Sequence, residues 1–259
     1  MIVRKDADGL KLVGQTDHSR LVGQFAAHWG NERFARPDPY ESVARAAAFH
    51  DYGWLRYETS PLNDPKSGEP LNFRGMQTTP EQLASYQWCA DWMSAIDRYA
   101  GLIVGMHRTG LWRARYDTIA HPPQAARAAP PEIDAYIARN EPRQASERGA
   151  LGESQVWTNY RLLQVWDLLG LYFCCQDPYD DFIEPVPVAY GSKRNDDIRI
   201  TLTPKDPRTV AFDPYPFDVR PCHVQLGFRR MPQTAYPDQE SFRRAYFQAD
   251  IDLMRFTLV

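Results

Sequence analysis

Five side chains carry the chemistry this chain offers: His18, the adjacent pair His50-Asp51, His107 and Asp167. An imidazole and a carboxylate side by side can bind one divalent metal. Mixed nitrogen and oxygen donors of this kind suit Fe, Mn, Zn or Ni better than Ca, and a Mg site would normally contain fewer imidazoles. A metal so held makes a nucleophile of water near neutral pH. The His-Asp dipeptide alone is a weak signal, so its weight depends on where the neighbouring residues point.

A helix advances about 100° per residue. With His18 as reference, Leu21, Val22, Phe25 and Trp29 fall within about 60° of it, which centres His18 on an apolar stripe. His50 closes the run Glu41-Ser-Val-Ala-Arg-Ala-Ala-Ala-Phe-His50 and shares a face with Val43, Ala46, Ala47 and Trp54. Glu41 and Arg45 face the other way, and Asp51 is one step round from His50. His107 has Ile103, Val104 and Leu111 at helical spacing, and Asp167 has Tyr160, Leu163, Gln164 and Leu171. A buried carboxylate such as Asp167 must be compensated, because it otherwise costs several kcal/mol or is forced to protonate. Three segments each centre a histidine on an apolar stripe and a fourth so centres an aspartate, although the chain has only 6 His. The pattern predicts one shared metal site, with Asp51 both ligand and proton acceptor.

The elements that must position these residues read as helices over about 17–30, 38–51, 80–98, 99–114, 131–148 and 153–176. Asp17 is placed to cap the first. Loops of about 59–79 and 116–130 separate some of them, and long loops of this kind often serve as lids or binding loops. Asp8-Gly9 between Ile2-Val3 and Leu10-Lys-Leu-Val13 predicts an N-terminal hairpin. After Pro178 the period changes to two: Ile198, Ile200 and Leu202 alternate with polar residues, as do Phe247, Ala249, Ile251 and Leu253, and Val210–Phe212 and His223–Phe228 read as further short strands. The expected fold is mainly α: a helical metal-binding domain over 15–178, then a β-rich appendage over 179–259. The appendage forms a small antiparallel sheet with strands from 1–14.

Composition narrows the function classes. The chain has 259 residues, 43% of them hydrophobic, with a net charge of −3, which argues for a globular protein and against a general nucleic-acid or membrane-surface binder. The opening Met-Ile-Val-Arg-Lys-Asp has no apolar stretch of the signal-peptide type, and no run approaches bilayer-spanning length. The four cysteines, Cys89, Cys174, Cys175 and Cys222, show no CxxC spacing and read as thiols in a reducing cytoplasm. The expected partner is a small molecule rather than a nucleic acid or a membrane.

The order His18, His50-Asp51, His107, Asp167 on successive helices resembles the HD-domain superfamily over about residues 15–176. Gln15-Thr-Asp-His-Ser-Arg-Leu21, Phe49-His-Asp-Tyr-Gly-Trp54 and Val165-Trp-Asp-Leu-Leu169 also resemble an uncharacterised bacterial HD-like family. The resemblance implies an HD-like helical core in which His18, His50, Asp51 and Asp167 ligate a metal, with His107 an extra histidine. It implies a metal-dependent hydrolase acting on a phosphate ester. Its alternative is an HD-type two-iron oxygenase, which would recruit His107 and also His121 or His28 for a second ion. A non-catalytic ligand- or partner-binding protein with a structural metal is the third reading. Many HD hydrolases follow His-Asp with x-Gly-Lys; here the run is Tyr52-Gly53-Trp54, so the phosphate-binding charge passes to Arg56, Arg74 or Arg108, with Arg74 and Arg108 the expected substrate contacts.

Overall fold

A computed structural model describes residues 1–6, 9–76, 78–113, 130–191 and 196–259. The chain opens with the hairpin β1 (Ile2–Asp6) and β2 (Gly9–Val13). Seven helices follow: α1 (Gln15–His28), α2 (Tyr40–Phe49), α3 (Leu55–Glu58), α4 (Pro80–Ile96), α5 (Arg98–Trp112), α6 (Pro131–Leu151) and α7 (Glu153–Cys175). The remainder is β3 (Asp181–Val186), β4 (Ile198–Asp206), β5 (Thr209–Asp213), β6 (Cys222–Met231), helix α8 (Gln239–Gln248) and β7 (Ile251–Leu258).

The strands form one seven-stranded curled sheet in the order β1-β2-β6-β7-β5-β4-β3. Its pairs are antiparallel except β5 with β7, which run parallel through Thr209↔Thr257 and Val210↔Leu258. This corrects the expectation of a mainly α fold with a small antiparallel sheet: helix makes up 51% and strand 22% of the described residues. Helices and sheet also share one apolar core. Phe173 of α7 lies 4.7 Å, ring centroid to centroid, from Phe256 of β7 and 5.9 Å from Phe25 of α1. Trp29 packs edge-on to both Trp166 of α7 and Phe217 before β6.

Most elements follow from their sequence signals, and the departures have identifiable causes. Alternation gave β4, β5 and β6 their buried faces: Ile200 and Leu202, Val210 and Phe212, Val224, Leu226 and Phe228 are all buried. Alternation misled at the C-terminus. Phe247 belongs to α8, and Phe247, Ile251 and Leu253 are about half exposed; the buried positions of β7 are Met254, Phe256 and Leu258. Strand β3 gave no period-two signal, since its burial runs Ile183 then Val186 across a bulge. Asp17 is not a cap: α1 starts at Gln15 after Gly14, and Asp17 bonds Arg20. Asp8 and His121 lie outside the described residues, as does most of the expected 116–130 loop.

The helices that matter for the site approach closely. A Cβ on Gly23 of α1 would meet Ala48 Cβ of α2 at 2.6 Å, so the pair packs at a distance only glycine permits. Cap chemistry fixes the next two helices. Thr79 Oγ1 accepts from Gln82 N at 3.2 Å at the start of α4, where Pro80 takes the first turn. Asp97 accepts from Ala100 N at 3.0 Å and starts α5. No helix among the described residues is long and apolar enough to cross a membrane.

Candidate metal centre

Four elements deliver the five side chains to one point. His18 lies in the first turns of α1 and His107 near the end of α5, while Asp167 is in the middle of α7. The fourth element is the end of α2, where the helix stops at Phe49. His50 keeps helical dihedrals (φ −58°, ψ −30°), whereas Asp51 turns to φ −108°, ψ 16°. That sparsely populated region is common at active sites. The unwinding lets two consecutive residues aim at one centre. Asp51 N donates to Ser19 Oγ at 3.2 Å, which ties the turn to α1. Gly170, three residues past Asp167, leaves room for His18: a Cβ there would lie 2.6 Å from His18 Cε1 and 2.8 Å from Nδ1.

The result is a compact, buried cluster. His18 Nε2 is 2.8 Å from Asp167 Oδ1, and His50 Nε2 is 3.4 Å from the same oxygen. His107 Nε2 is 3.3 Å from Asp51 Oδ1, and His50 Nε2 is 3.9 Å from Asp51 Oδ2. Two triads, His18/His50/Asp51 and His50/His107/Asp167, each have donor atoms within 4.8 Å of one another. None of the five is more than 5% exposed. His50 Nδ1 donates to Ala47 O at 2.8 Å, so Nε2 is the nitrogen that would face a metal once its proton is lost. That nitrogen is fully buried and within ion-pair distance of Asp167, yet it makes no hydrogen bond among the described residues. Buried polar atoms are nearly always bonded, so an orphan at the centre of a His/Asp cluster points to a ligand atom.

Electrostatics agree with this placement. Burial alone would push His50 down, but Asp167 and then Asp51, with the Ala47 carbonyl, outweigh it and raise the imidazole to about 9. Burial alone would raise Asp167. His18 and His50 reverse that and hold it well below the usual carboxylate range. Asp51 is likewise lowered against burial, by His107 and His50. Both carboxylates are therefore ionised at neutral pH, as metal ligands must be.

The supporting side chains include some that sequence reasoning missed. Tyr86 of α4 donates its hydroxyl to Asp51 Oδ1 at 3.2 Å. Cys174 Sγ lies 3.7 Å from His18 Nδ1, at the back of that ring. Tyr86 stands on the buried stripe Gln82, Tyr86, Cys89, Met93, where a hydroxyl among apolar groups was the available signal. Of the expected substrate residues, Arg108 is buried and stacks on Tyr86, with Cζ 4.2 Å from the ring centroid. Arg74 is exposed; its guanidinium lies over Phe73 and bonds Cys175 Sγ at 3.5 Å, and none of its described contacts is to the cluster. Arg56 is exposed on α3. His28, considered for a second ion, is exposed and paired with Asp218 at 3.1 Å.

The fold and site together define an α/β protein that buries a His₃Asp₂ cluster between its helices, beside a curled mixed sheet. The model of DUF3891, a protein family of unknown function, matches residues 1–233, and the chain belongs to that family. No curated protein and no solved structure matches. The resemblance to the HD superfamily does not stand. The family match runs from the N-terminal hairpin through β6 rather than over a helical 15–176 unit, the family is one of unknown function, and the strands form a seven-stranded sheet rather than a small appendage. Four short motifs in order describe which helices carry donors; they do not specify how those helices connect or what they pack on.

Proposed function

We propose that the cluster binds one divalent transition metal and that the protein is a metal-dependent hydrolase of a small-molecule substrate. The observation that carries this reading is the orphaned, fully buried His50 Nε2 between two ionised carboxylates and two further imidazoles. Fe, Mn, Zn and Ni suit the three-imidazole, two-carboxylate set. The two triads overlap at His50, whose other nitrogen is committed to Ala47 O, so a single ion is the arrangement they support. A two-iron centre would need His50 replaced by separate ligands on each ion.

When bound, the metal supplies a water whose pKa is lowered toward neutrality. The chain's own residues do the rest. Asp51 Oδ1 is occupied by Tyr86 and His107, which leaves Oδ2 as the oxygen able to accept a proton. His18 and Asp167 hold each other in place, with Cys174 behind the ring and Gly170 beside it. Burial keeps bulk water from competing for the donors.

Elemental analysis of the purified protein against His50→Ala and Asp51→Ala tests the site. About one metal per chain is expected in the wild type, the ratio of a single-ion site, and none in the variants; equal content in all three overturns it. Turnover of a panel of phosphoesters, carboxylic esters and amides that depends on that metal is expected. Bound metal with no turnover on any of them refutes the hydrolase and leaves a structural or ligand-binding metal protein.

A further inference from the structure

We propose that Arg108 anchors an oxyanion subsite beside the cluster, and that the molecule bound there carries a phosphate or carboxylate group. That this molecule is a substrate rests on the hydrolase reading above; the anion site itself does not.

Arg108 is 6% exposed and has no carboxylate partner among the described residues. Arginines are almost never buried to that degree unless paired. Most other buried or half-buried arginines follow that rule: Arg4 meets Asp177, Arg148 meets Glu153, and Arg161 meets Asp197. The guanidinium of Arg108 is instead held by neutral groups. Nη2 donates to Thr78 Oγ1 at 3.3 Å and to Gln82 Oε1 at 3.2 Å, and the plane lies over the Tyr86 ring. Nε is fully buried without a bond, and the guanidinium's hydrogen bonds among the described residues all come from Nη2. Nε–H and the two N–H groups of Nη1 are thus without a partner among the described residues. A guanidinium N–H of this kind gives an oxyanion a single charge-assisted hydrogen bond.

The position gives the charge a purpose. Tyr86 separates Arg108 from Asp51: its ring carries the guanidinium and its hydroxyl meets the carboxylate. A divalent ion with Asp51 and Asp167 sums to zero, and neutral imidazole ligands add nothing. Such a centre would add no net formal charge to draw an anion from a distance. Arg108 supplies a positive charge one aromatic ring away, without a carboxylate partner among the described residues and in a setting where it is weakly screened.

The test titrates metal-free protein with inorganic phosphate, and with formate as the planar arm, by calorimetry. Wild type is expected to bind at least one of the two, which also distinguishes phosphate from carboxylate recognition. Arg108→Gln is expected to bind roughly tenfold more weakly or worse, since hydrogen bonds to a charged group are lost, while His50→Ala retains binding. No binding by wild type, or loss in His50→Ala but not in Arg108→Gln, overturns the proposal; the latter places the anion on the histidines. Should Arg108→Gln not fold, the Arg108 Nε–H resonance of [15N]arginine-labelled wild type decides. It is expected to shift in step with the binding isotherm, and an unmoved resonance overturns the subsite. Metal content of the same preparations, read independently, reports on the hydrolase reading whichever way the anion titration falls.

Discussion

Gly170→Ala separates a metal-positioning role for this glycine from a mere weak point in a helix. In the middle of α7, alanine is preferred over glycine by about 1 kcal/mol, so propensity alone predicts a more stable protein. The geometry predicts the opposite. The new Cβ would lie 2.6 Å from His18 Cε1, 2.7 Å from Val22 Cγ2 and 2.8 Å from His18 Nδ1, whereas ordinary contact begins at 3.4 Å. Relief requires a shift of about 0.8 Å, the difference between 3.4 and 2.6 Å. His18 is wholly buried, and its Nε2 is 2.8 Å from Asp167 Oδ1; the same shift along that bond takes it out of hydrogen-bonding range. Overpacking of this kind costs about 1–3 kcal/mol. Set against the helix gain, the net is a destabilisation of up to about 2 kcal/mol. At roughly 2–4 °C per kcal/mol for a chain of this size, Tm falls by several degrees. Displacing a ligand through its packing partner costs metal affinity about 10–100-fold. Calorimetric melting of the metal-free variant and competition with a chelating indicator read the two effects separately. A variant that melts higher than wild type and binds metal equally well refutes the close-packing argument.

Two further outcomes follow from the same cluster. Chelation should lower Tm, because a metal at one hundred times its Kd contributes about 2.7 kcal/mol by mass action; an unchanged melt after verified removal sinks the linkage. The metal-free protein should also lose stability from about pH 6.5 to about 9. His50 is raised from 6.5 to about 9 on folding, so its stabilisation is complete below the unfolded value and disappears as pH rises through the folded one. At 1.36 kcal/mol per pKa unit this is about 3 kcal/mol for a fully buried group. Asp51 and Asp167 are lowered on folding, so their contribution is present above 3.8 and fades only as pH falls through their folded values. Tm measured across that range is the check, and a flat profile between pH 6.5 and 9 in metal-free protein contradicts the protonated His50.

The five cluster residues were legible in the sequence because helical phase is a local property. His18, His107 and Asp167 each sit on a stripe that the neighbouring Leu, Ile and Val define, and burying the stripes forces the polar groups together. Tyr86 shows the limit of that logic. It lies on a buried face, but its hydrogen bond to Asp51 depends on α4 meeting the α2 turn, a contact that no spacing within one helix encodes. The sheet was under-read for a related reason. Strand β3 buries Ile183 and Val186 across a bulge, so period two is broken at that sheet edge; β7 keeps period two at Met254, Phe256 and Leu258, but the exposed Ile251 and Leu253 before them carry the apolar signal in the opposite phase.

Charge bookkeeping distinguishes this cluster from an ordinary core network. A buried ion pair is weak grounds for stability, since apolar residues of similar volume often do as well or better. Two buried carboxylates therefore need a reason to be ionised. Without metal, His50 carries a proton between Asp51 and Asp167 and leaves Nε2 at 3.4 and 3.9 Å from their oxygens, with no hydrogen bond made. A network selected only for cohesion would close those distances, as His18 and Asp167 do at 2.8 Å. The spacing around His50 is looser, 3.4 Å to Asp167 and 3.9 Å to Asp51. On the metal reading proposed above, exchange of the His50 proton for a divalent ion would change the cluster charge by one unit and would give Nε2 a partner. Such a centre would be formally neutral, and the nearby fixed positive charge is Arg108, one tyrosine away and without a carboxylate partner among the described residues.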